Sequence, residues 1–288
     1  MAKMTLQVKD LCTSFFTDKG EIKAVNHVSF DVPKRSIIGI VGESGCGKSM
    51  TARSVMRLLK YPGKIVSGSI ALEGKELTAL TEAEMSNVRG EEISMIFQEP
   101  MTSLNPVMKV GKQVQEVVLL HRKVTKQEAK KEVIRIFEKV GISEPEKRYE
   151  CYPHELSGGL RQRVMIAMAM ICRPKLLIAD EPTTALDVTV EAQILELMKN
   201  LRDEIGTSII LISHNLGVVA EICDYVHVMY AGRVVEQAET FELFDHPKHP
   251  YTIGLMNAVD SLEKKQAVLD TIPGTTLYLC LEDPLHRV

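Results

Sequence analysis

Gly42-Glu43-Ser44-Gly45-Cys46-Gly47-Lys48-Ser49 has the spacing Gly-x4-Gly-Lys-Ser. Glycines in such a run leave no Cβ in the way, so backbone N–H groups can turn inward around phosphate oxygens. A helix that follows adds the partial positive charge of its N-terminus. Lys48 is expected to neutralise the β- and γ-phosphates, and the Ser49 hydroxyl to ligate Mg²⁺. A nucleotide site also needs a metal anchor on a neighbouring strand. Leu176-Leu177-Ile178-Ala179-Asp180-Glu181 supplies one. Four apolar residues make a buried strand, and Asp180 stands at its carboxyl end, where open α/β sheets bind ligands. Asp180 is expected to hold Mg²⁺, directly or through water. Glu181 is placed to polarise an attacking water as general base.

These residues must be held by regular elements. Ser36–Val41 (SIIGIV) is a short continuous apolar run, the mark of a buried parallel strand, and it leads straight into the glycine loop. A helix is expected from Met50 to Lys60, ended by Tyr61-Pro62-Gly63. Val28, Phe30 and Val32 alternate as in a half-buried strand, and Ile93–Phe97 reads as another buried strand. From about 99 to 156 the pattern turns helical. Val110, Val114, Val117 and Val118 mark one helix face. Thr125 and Glu128 form a capping-box pair, followed by Ala129, Val133, Ile136, Phe137 and Val140 at helical spacing and Gly141 as a stop. Beyond that, helices at 161–172 and 190–205 alternate with strands at 176–179 and 208–212, and a hairpin turns at Tyr230-Ala231-Gly232. Alternating strands and helices imply a parallel sheet covered on both faces. From His246 onward the pattern is short and irregular.

The composition excludes several classes. The chain has 288 residues, with 45% hydrophobic and 25% charged, as in a globular protein. Lys plus Arg is 35 and Asp plus Glu is 38, a net charge of −3, so no global basic footprint for nucleic acid exists. Trp is absent, which weakens a base-stacking surface further. The longest strictly apolar run, Val164–Cys172, falls well short of the ~20 residues of a spanning helix. No apolar signal-peptide core follows Met1, so a cytosolic chain is expected. Six cysteines without a CxxC pair are expected as reduced thiols.

One further segment discriminates among phosphate-binding proteins. Glu155-Leu156-Ser157-Gly158-Gly159-Leu160-Arg161-Gln162-Arg163 opens an amphipathic helix with Ser-Gly-Gly. Bare N–H groups and a hydroxyl there make an anion site without a lysine. With this segment the chain resembles the ATP-binding-cassette (ABC) ATPases, and Leu156–Leu160 resembles their LSGGQ signature with Leu in the fifth place. Gln98 resembles the Q-loop glutamine, Ala185-Leu186-Asp187 the D-loop, and His214 the switch histidine that contacts the γ-phosphate. Phe15 resembles the aromatic that stacks on adenine, with Phe16 as the alternative.

The resemblance runs over roughly residues 4–274 and implies an α/β fold: a P-loop NTPase (RecA-like) core with an antiparallel β subdomain and an inserted α-helical subdomain. The implied division is 1–98 with 157–245 as core, 99–156 as helical subdomain and 246–288 as C-terminal extension. ATP and Mg²⁺ are the implied ligands. Nucleotide contacts fall on Phe15, Gly42, Ser44, Gly45, Gly47, Lys48, Ser49 and Met50, with Ser157, Gly158, Gly159 and Asp187 serving a second cassette's site. Ser49, Gln98 and Asp180 are the metal set, and Glu181, His214, Gln98 and Lys48 the catalytic set.

Glu99–Pro106, Pro182–Gln193 and His246-Pro247-Lys248-His249-Pro250-Tyr251-Thr252 resemble the ATPase subunits of bacterial peptide importers, and nickel and metallophore importers are close to these. Partners so implied are a second, different ATPase subunit, two membrane permease subunits and an extracytoplasmic binding protein, with no nucleic acid. The chain would then sit peripherally on the cytoplasmic face of the membrane. Ile272-Pro273-Gly274 resembles the start of the subgroup's tail, which often carries a cysteine-rich iron–sulfur segment. Here Cys280 stands alone, so no cluster is expected. Asp245, His246 and His249 read as a packed turn rather than a metal site. The rival reading is a soluble ABC ATPase of DNA repair or translation. A P-loop kinase or GTPase would leave the Ser-Gly-Gly helix unexplained.

Overall fold

The computed structural model describes residues 3–98, 103–184 and 186–263. Expectations that rest on Glu99–Thr102, on Ala185 and on the chain after 263, including Ile272-Pro273-Gly274 and Cys280, lie outside the described residues. The chain divides into two compact units, Met1–Leu80 with Ile210–Val288, and Thr81–Ile209.

The first unit begins with two long strands, β1 (Met4–Thr17) and β2 (Gly20–Pro33), joined by a tight turn and paired antiparallel with Leu6 opposite Val32 and Val8 opposite Phe30. β4 (Gly63–Leu72) pairs antiparallel with the other edge of β1, and the short β5 (Lys75–Glu76) completes the order β2-β1-β4-β5. Alternation decides the faces: Val28, Phe30 and Val32 are buried while Ser29 and Asp31 are exposed. β3 (Ile37–Val41) is buried at all five residues and runs parallel to β9 (Tyr225–Tyr230). β9 turns at Ala231 and Gly232, both at positive φ (48° and 78°), into antiparallel β10 (Arg233–Glu239).

Helix α1 follows the glycine loop, but it spans only Lys48–Val55 and does not reach Lys60. Arg57 is left-handed (φ 51°), its N–H bonds the Ser54 carbonyl, and Leu58 N–H bonds the Arg53 carbonyl. That is a Schellman stop built without the glycine that usually signals it. A second departure lies after His246. Helix α10 (Pro250–Glu263) forms where the sequence reads as irregular. Proline at its first position favours the start, and small or polar residues interrupt the apolar period that would have announced it.

The second unit holds the helical stretch. Helix α2 (Glu82–Val88) opens with a Thr81/Glu84 capping box, and α4 (Lys126–Lys139) with the expected Thr125/Glu128 box. α4 stops at Val140 with Gly141 at φ 75°. Its apolar face buries Ala129, Val133, Ile136 and Phe137, and α3 (Val110–His121) buries Val110, Val114 and Val118. Tyr149, at the end of α5 (Pro145–Tyr149), is fully buried and its hydroxyl donates to Gln115 Oε1 at 2.8 Å. Gly111 permits this packing, since a Cβ there would meet the Tyr149 ring at 2.2 Å. Among the described residues, 103–156 contain no strand. α6 (Gly158–Met170) and α7 (Val188–Ile205) flank β7 (Leu176–Asp180), which pairs parallel with β6 (Ile93–Ile96). β8 (Ser208–Ile212) is buried throughout and leads back to the first unit, where α8 (Leu216–Ile222) and α9 (Thr240–Asp245) follow.

Candidate functional site

In the first unit the glycine loop leaves the end of β3 and folds over Lys48. Gly42 has φ 145°, and a Cβ there would lie 2.2 Å from the Met229 carbonyl oxygen. Gly47 has φ 107°, and its Cβ would lie 2.5 Å from the Ala24 carbonyl. Only glycine fits either place. Gly45, at φ 83°, faces open space, as a backbone meant to approach a ligand should. The Lys48 side chain is almost fully buried, and its ammonium donates to the Gly42 and Glu43 carbonyls at 2.7 and 2.8 Å. Such a buried cation fits an anionic ligand, because opposite charge delivered to the loop would be met by an ammonium already held there. Cys46, also buried, lies 3.8 Å from Lys48 Nζ, and burial raises its thiol pKa despite the neighbouring ammonium. Glu43, Ser44 and Gly45 are exposed, while Ser49 and Met50 are half-buried.

His214 is exposed between β8 and α8. Its neighbours fix it: Ser213 N–H bonds the Ile40 carbonyl at 3.4 Å, and Ser213 Oγ accepts from Asn215 N–H at 3.0 Å. Asn215 caps α8 through Gly217 and Val218 N–H, a role an aspartate would fill equally. Phe15 is half-buried against Gly63, whose Cβ would lie 2.7 Å from the ring. Phe16 carries Lys64 Nζ at 4.4 Å from its ring centre. Adjacent residues of a strand point to opposite faces, so the two rings cannot serve one ligand together.

In the second unit Asp180 ends β7 and is buried. Glu181 follows in a left-handed conformation (φ 49°), uncommon for a residue with a side chain and typical of functional turns. Two donors converge on one oxygen of its carboxylate: Gln98 Nε2 reaches Oε2 at 2.8 Å and Thr184 Oγ1 at 3.1 Å. The structure therefore brings the expected Gln98 and Glu181 together. Thr184 is a residue that the sequence reading missed, though a hydroxyl three places after the carboxylate was the available signal. Thr183 donates to Glu191 Oε1 at 2.6 Å and so ties the same turn to α7. Asp187 caps α7 by accepting from Val190 N–H at 2.9 Å.

Ser157 likewise caps α6 through Leu160 N–H at 3.4 Å. The glycines after it admit α7's neighbourhood closely: a Cβ on Gly159 would lie 3.0 Å from Val190 Cγ1, and one on Gly158 3.7 Å from Leu186 Cδ2. In the tract expected to be a packed turn, Asp245 and His246 are exposed and His249 is half-buried. Glu236 accepts from Lys248 and His249 N–H at 2.7 and 2.9 Å. Among the described residues, no cluster of three or more His, Cys, Asp or Glu is arranged to hold a metal.

Residues 25–184, which contain the glycine loop and the Asp180–Glu181 pair, match the ABC transporter family. The chain belongs to the ABC transporter family. Within it, residues 235–282 match the oligopeptide/dipeptide transporter C-terminal region. The chain is 56% identical to the oligopeptide transport ATP-binding protein OppD of Bacillus subtilis, over 94% of this chain and 76% of that one. It is 54% identical to OppD of Salmonella typhimurium (95% and 81%) and 51% identical to the dipeptide transport ATP-binding protein DppD of B. subtilis (94% and 81%). Solved ABC cassettes share the fold. The cbiO1 protein of Clostridium perfringens, part of the cbiONQ transporter complex, superposes with a TM-score of 0.74 at 26% identity, over 92% of this chain and 100% of that one. The ADP- and phosphate-bound cassette MJ0796 does so with 0.73 at 23%, over 82% and 98%. The expected α/β P-loop NTPase fold with its antiparallel and helical parts is therefore the one observed.

Proposed function

We propose that this ABC ATPase powers the uptake of oligopeptides through membrane permease subunits, with Lys48, Asp180 and Glu181 at the centre of its chemistry. The observation that carries the catalytic part is the convergence of Gln98 and Thr184 on Glu181 Oε2, beside buried Asp180. Donors that converge on a carboxylate fix its orientation, and orientation is most of what phosphoryl transfer asks of a protein. The glycine loop and Lys48 are assigned to the phosphates of ATP, with Ser44, Gly45, Ser49 and Met50 supplying further loop contacts. His214 is assigned to the γ-phosphate and Phe15 to adenine.

Ser49, Gln98 and Asp180 would hold Mg²⁺. Their hydroxyl, amide and carboxylate oxygens suit a hard cation. The ion, when bound, neutralises developing charge on the phosphates. Ser157, Gly158, Gly159 and Asp187 are assigned to the site of a second ATPase subunit, different in sequence from this one. Ser157 sits at the N-terminus of α6, where N–H groups and the helix dipole favour an anion. The proposed division is core 1–98 with 157–245, helical subdomain 99–156 and extension 246–288.

Import of peptides is favoured by relatives named for oligopeptide and dipeptide transport. Those names do not favour the nickel reading, nor a role in DNA repair or translation. No described helix is long and apolar enough to cross a membrane, so the proposed site of action is the cytoplasmic face, docked on two permease subunits. An extracytoplasmic binding protein would deliver the peptide. The test is purification of this chain from solubilised membranes, reconstitution of what accompanies it into vesicles, and measurement of radiolabelled peptide uptake. ATP-dependent uptake with two multi-span subunits present is expected. Nickel uptake without peptide uptake, or co-purifying ribosomes or DNA, would overturn the proposal.

A further inference from the structure

The His246–Thr252 tract was set apart by its sequence, and nothing in the proposed chemistry uses it. Its structure does more than close a turn. Glu236 holds the backbone of Lys248 and His249, and His249 Nδ1 accepts from Tyr251 N–H at 3.1 Å. Ile253 N–H bonds the His249 carbonyl at 3.0 Å, which starts α10. The first turn of α10 is thereby fixed, and with it Tyr251. The Tyr251 ring is buried, 4.5 Å from the ring of Tyr230 at the end of β9. Its hydroxyl oxygen accepts from Glu43 N–H at 3.0 Å, inside the glycine loop.

Glu43 is held at both ends of its backbone. Tyr251 takes its N–H, while its carbonyl accepts from Lys48 Nζ at 2.8 Å and from Cys46 N–H at 3.3 Å. In the glycine loop, then, one backbone donor is satisfied from the C-terminal region, 208 residues away in sequence. Burial pushes the Tyr251 phenol pKa up to about 12, so the group stays neutral wherever the protein is folded and works.

We infer that Tyr251 is a positioning residue for nucleotide binding: through Glu43 it holds the first turn of the loop in the shape that receives phosphate. This inference rests on the glycine loop being the ATP site. If Lys48 shifts its ammonium from the loop carbonyls to phosphate, Glu43 loses its strongest acceptor contact. The shorter of the two bonds then left on the Glu43 backbone is the one to Tyr251, at 3.0 Å against 3.3 Å for Cys46 N–H. The same bond links the start of α10 to the glycine loop, so that nucleotide affinity and the packing of Tyr251 depend on one another.

The experiment compares the full chain with Tyr251→Phe and Lys48→Ala in calorimetric titrations with Mg-AMP-PNP, well below the thermal midpoint of every variant. Tyr251→Phe keeps the ring and its contact with Tyr230 and deletes only the acceptor. The expected result is a Kd raised about fivefold, the worth of one neutral hydrogen bond. Any accompanying fall in thermal midpoint leaves that reading intact, because all chains are folded in the titration. A Kd within 1.5-fold of the parent, with or without a fall in midpoint, would overturn the inference and leave Tyr251 a packing residue. Lys48→Ala separates the two failures. If it too leaves affinity unchanged, the ATP-site assignment falls; if it abolishes binding while Tyr251→Phe is silent, only the tether does.

Discussion

Thr184→Val replaces a hydroxyl by a methyl of nearly equal volume and removes a donor to Glu181 Oε2, where Gln98 Nε2 also donates. Hydrogen bonds to charged groups contribute ~1.5–3 kcal/mol when well shielded. Glu181 is only half-buried and keeps the shorter bond from Gln98, so the loss is nearer ~1 kcal/mol. Expressed in the transition state, that is about a fivefold fall in kcat. The KM for ATP should stay within about twofold, because Thr184 bonds the carboxylate assigned as base, a group that acts in the transition state. The assay is steady-state ATP hydrolysis by the chain in its assembled transporter. Thr184→Ser should restore kcat. In a Glu181→Gln background the Thr184→Val change should cost nothing more, since the charge it orients is gone. An unchanged kcat in the single variant, or an equal loss in both backgrounds, would refute the reasoning.

Two further outcomes concern the fold. Gly42→Ala forces a side chain into φ 145° and a Cβ to 2.2 Å from a backbone oxygen. Strain of ~1–3 kcal/mol and overpacking of a similar size should lower the thermal midpoint by on the order of 10 °C, measured by calorimetry. An unchanged midpoint would mean that the loop is not held as described. His227 is buried against Phe30, and burial depresses its pKa to about 4, with Gln237 and then Asp31 opposing. Unfolding releases it to the ordinary value near 6.5, so the unfolded chain binds the extra proton. Its contribution is intact above pH ~6.5 and is lost as pH falls toward 4, by about 3 kcal/mol at most. As pH falls through that window, the denaturant midpoint of the parent should fall relative to that of His227→Phe. A constant gap would refute the assignment.

Much of the candidate site was legible because the proposed chemistry needs fixed spacing. The glycine loop, the Leu176–Glu181 strand end and the Ser-Gly-Gly helix each declare their elements locally, and the strands that carry the first two are unbroken apolar runs. The Thr125/Glu128 box was readable for the same reason. What escaped lies in contacts between distant or unusual backbone positions. The stop of α1 depends on Arg57 adopting a left-handed turn, revealed by its bond to Ser54 and by the bond from Leu58 to Arg53. Thr184 acquires its role from a turn in which Glu181 itself is left-handed. Tyr251 meets Glu43 across 208 residues, which no local period encodes.

The central claim is that Glu181 is the base of an ATPase whose phosphate loop is Gly42–Ser49. Release of inorganic phosphate by Glu181→Gln, assembled with its partners and compared with its affinity for Mg-ATP, tests it most directly. The account predicts affinity within about threefold of the parent and hydrolysis at Glu181's own site reduced by 10²-fold or more, the low end of general-base contributions. Hydrolysis there at near the parental rate would contradict it.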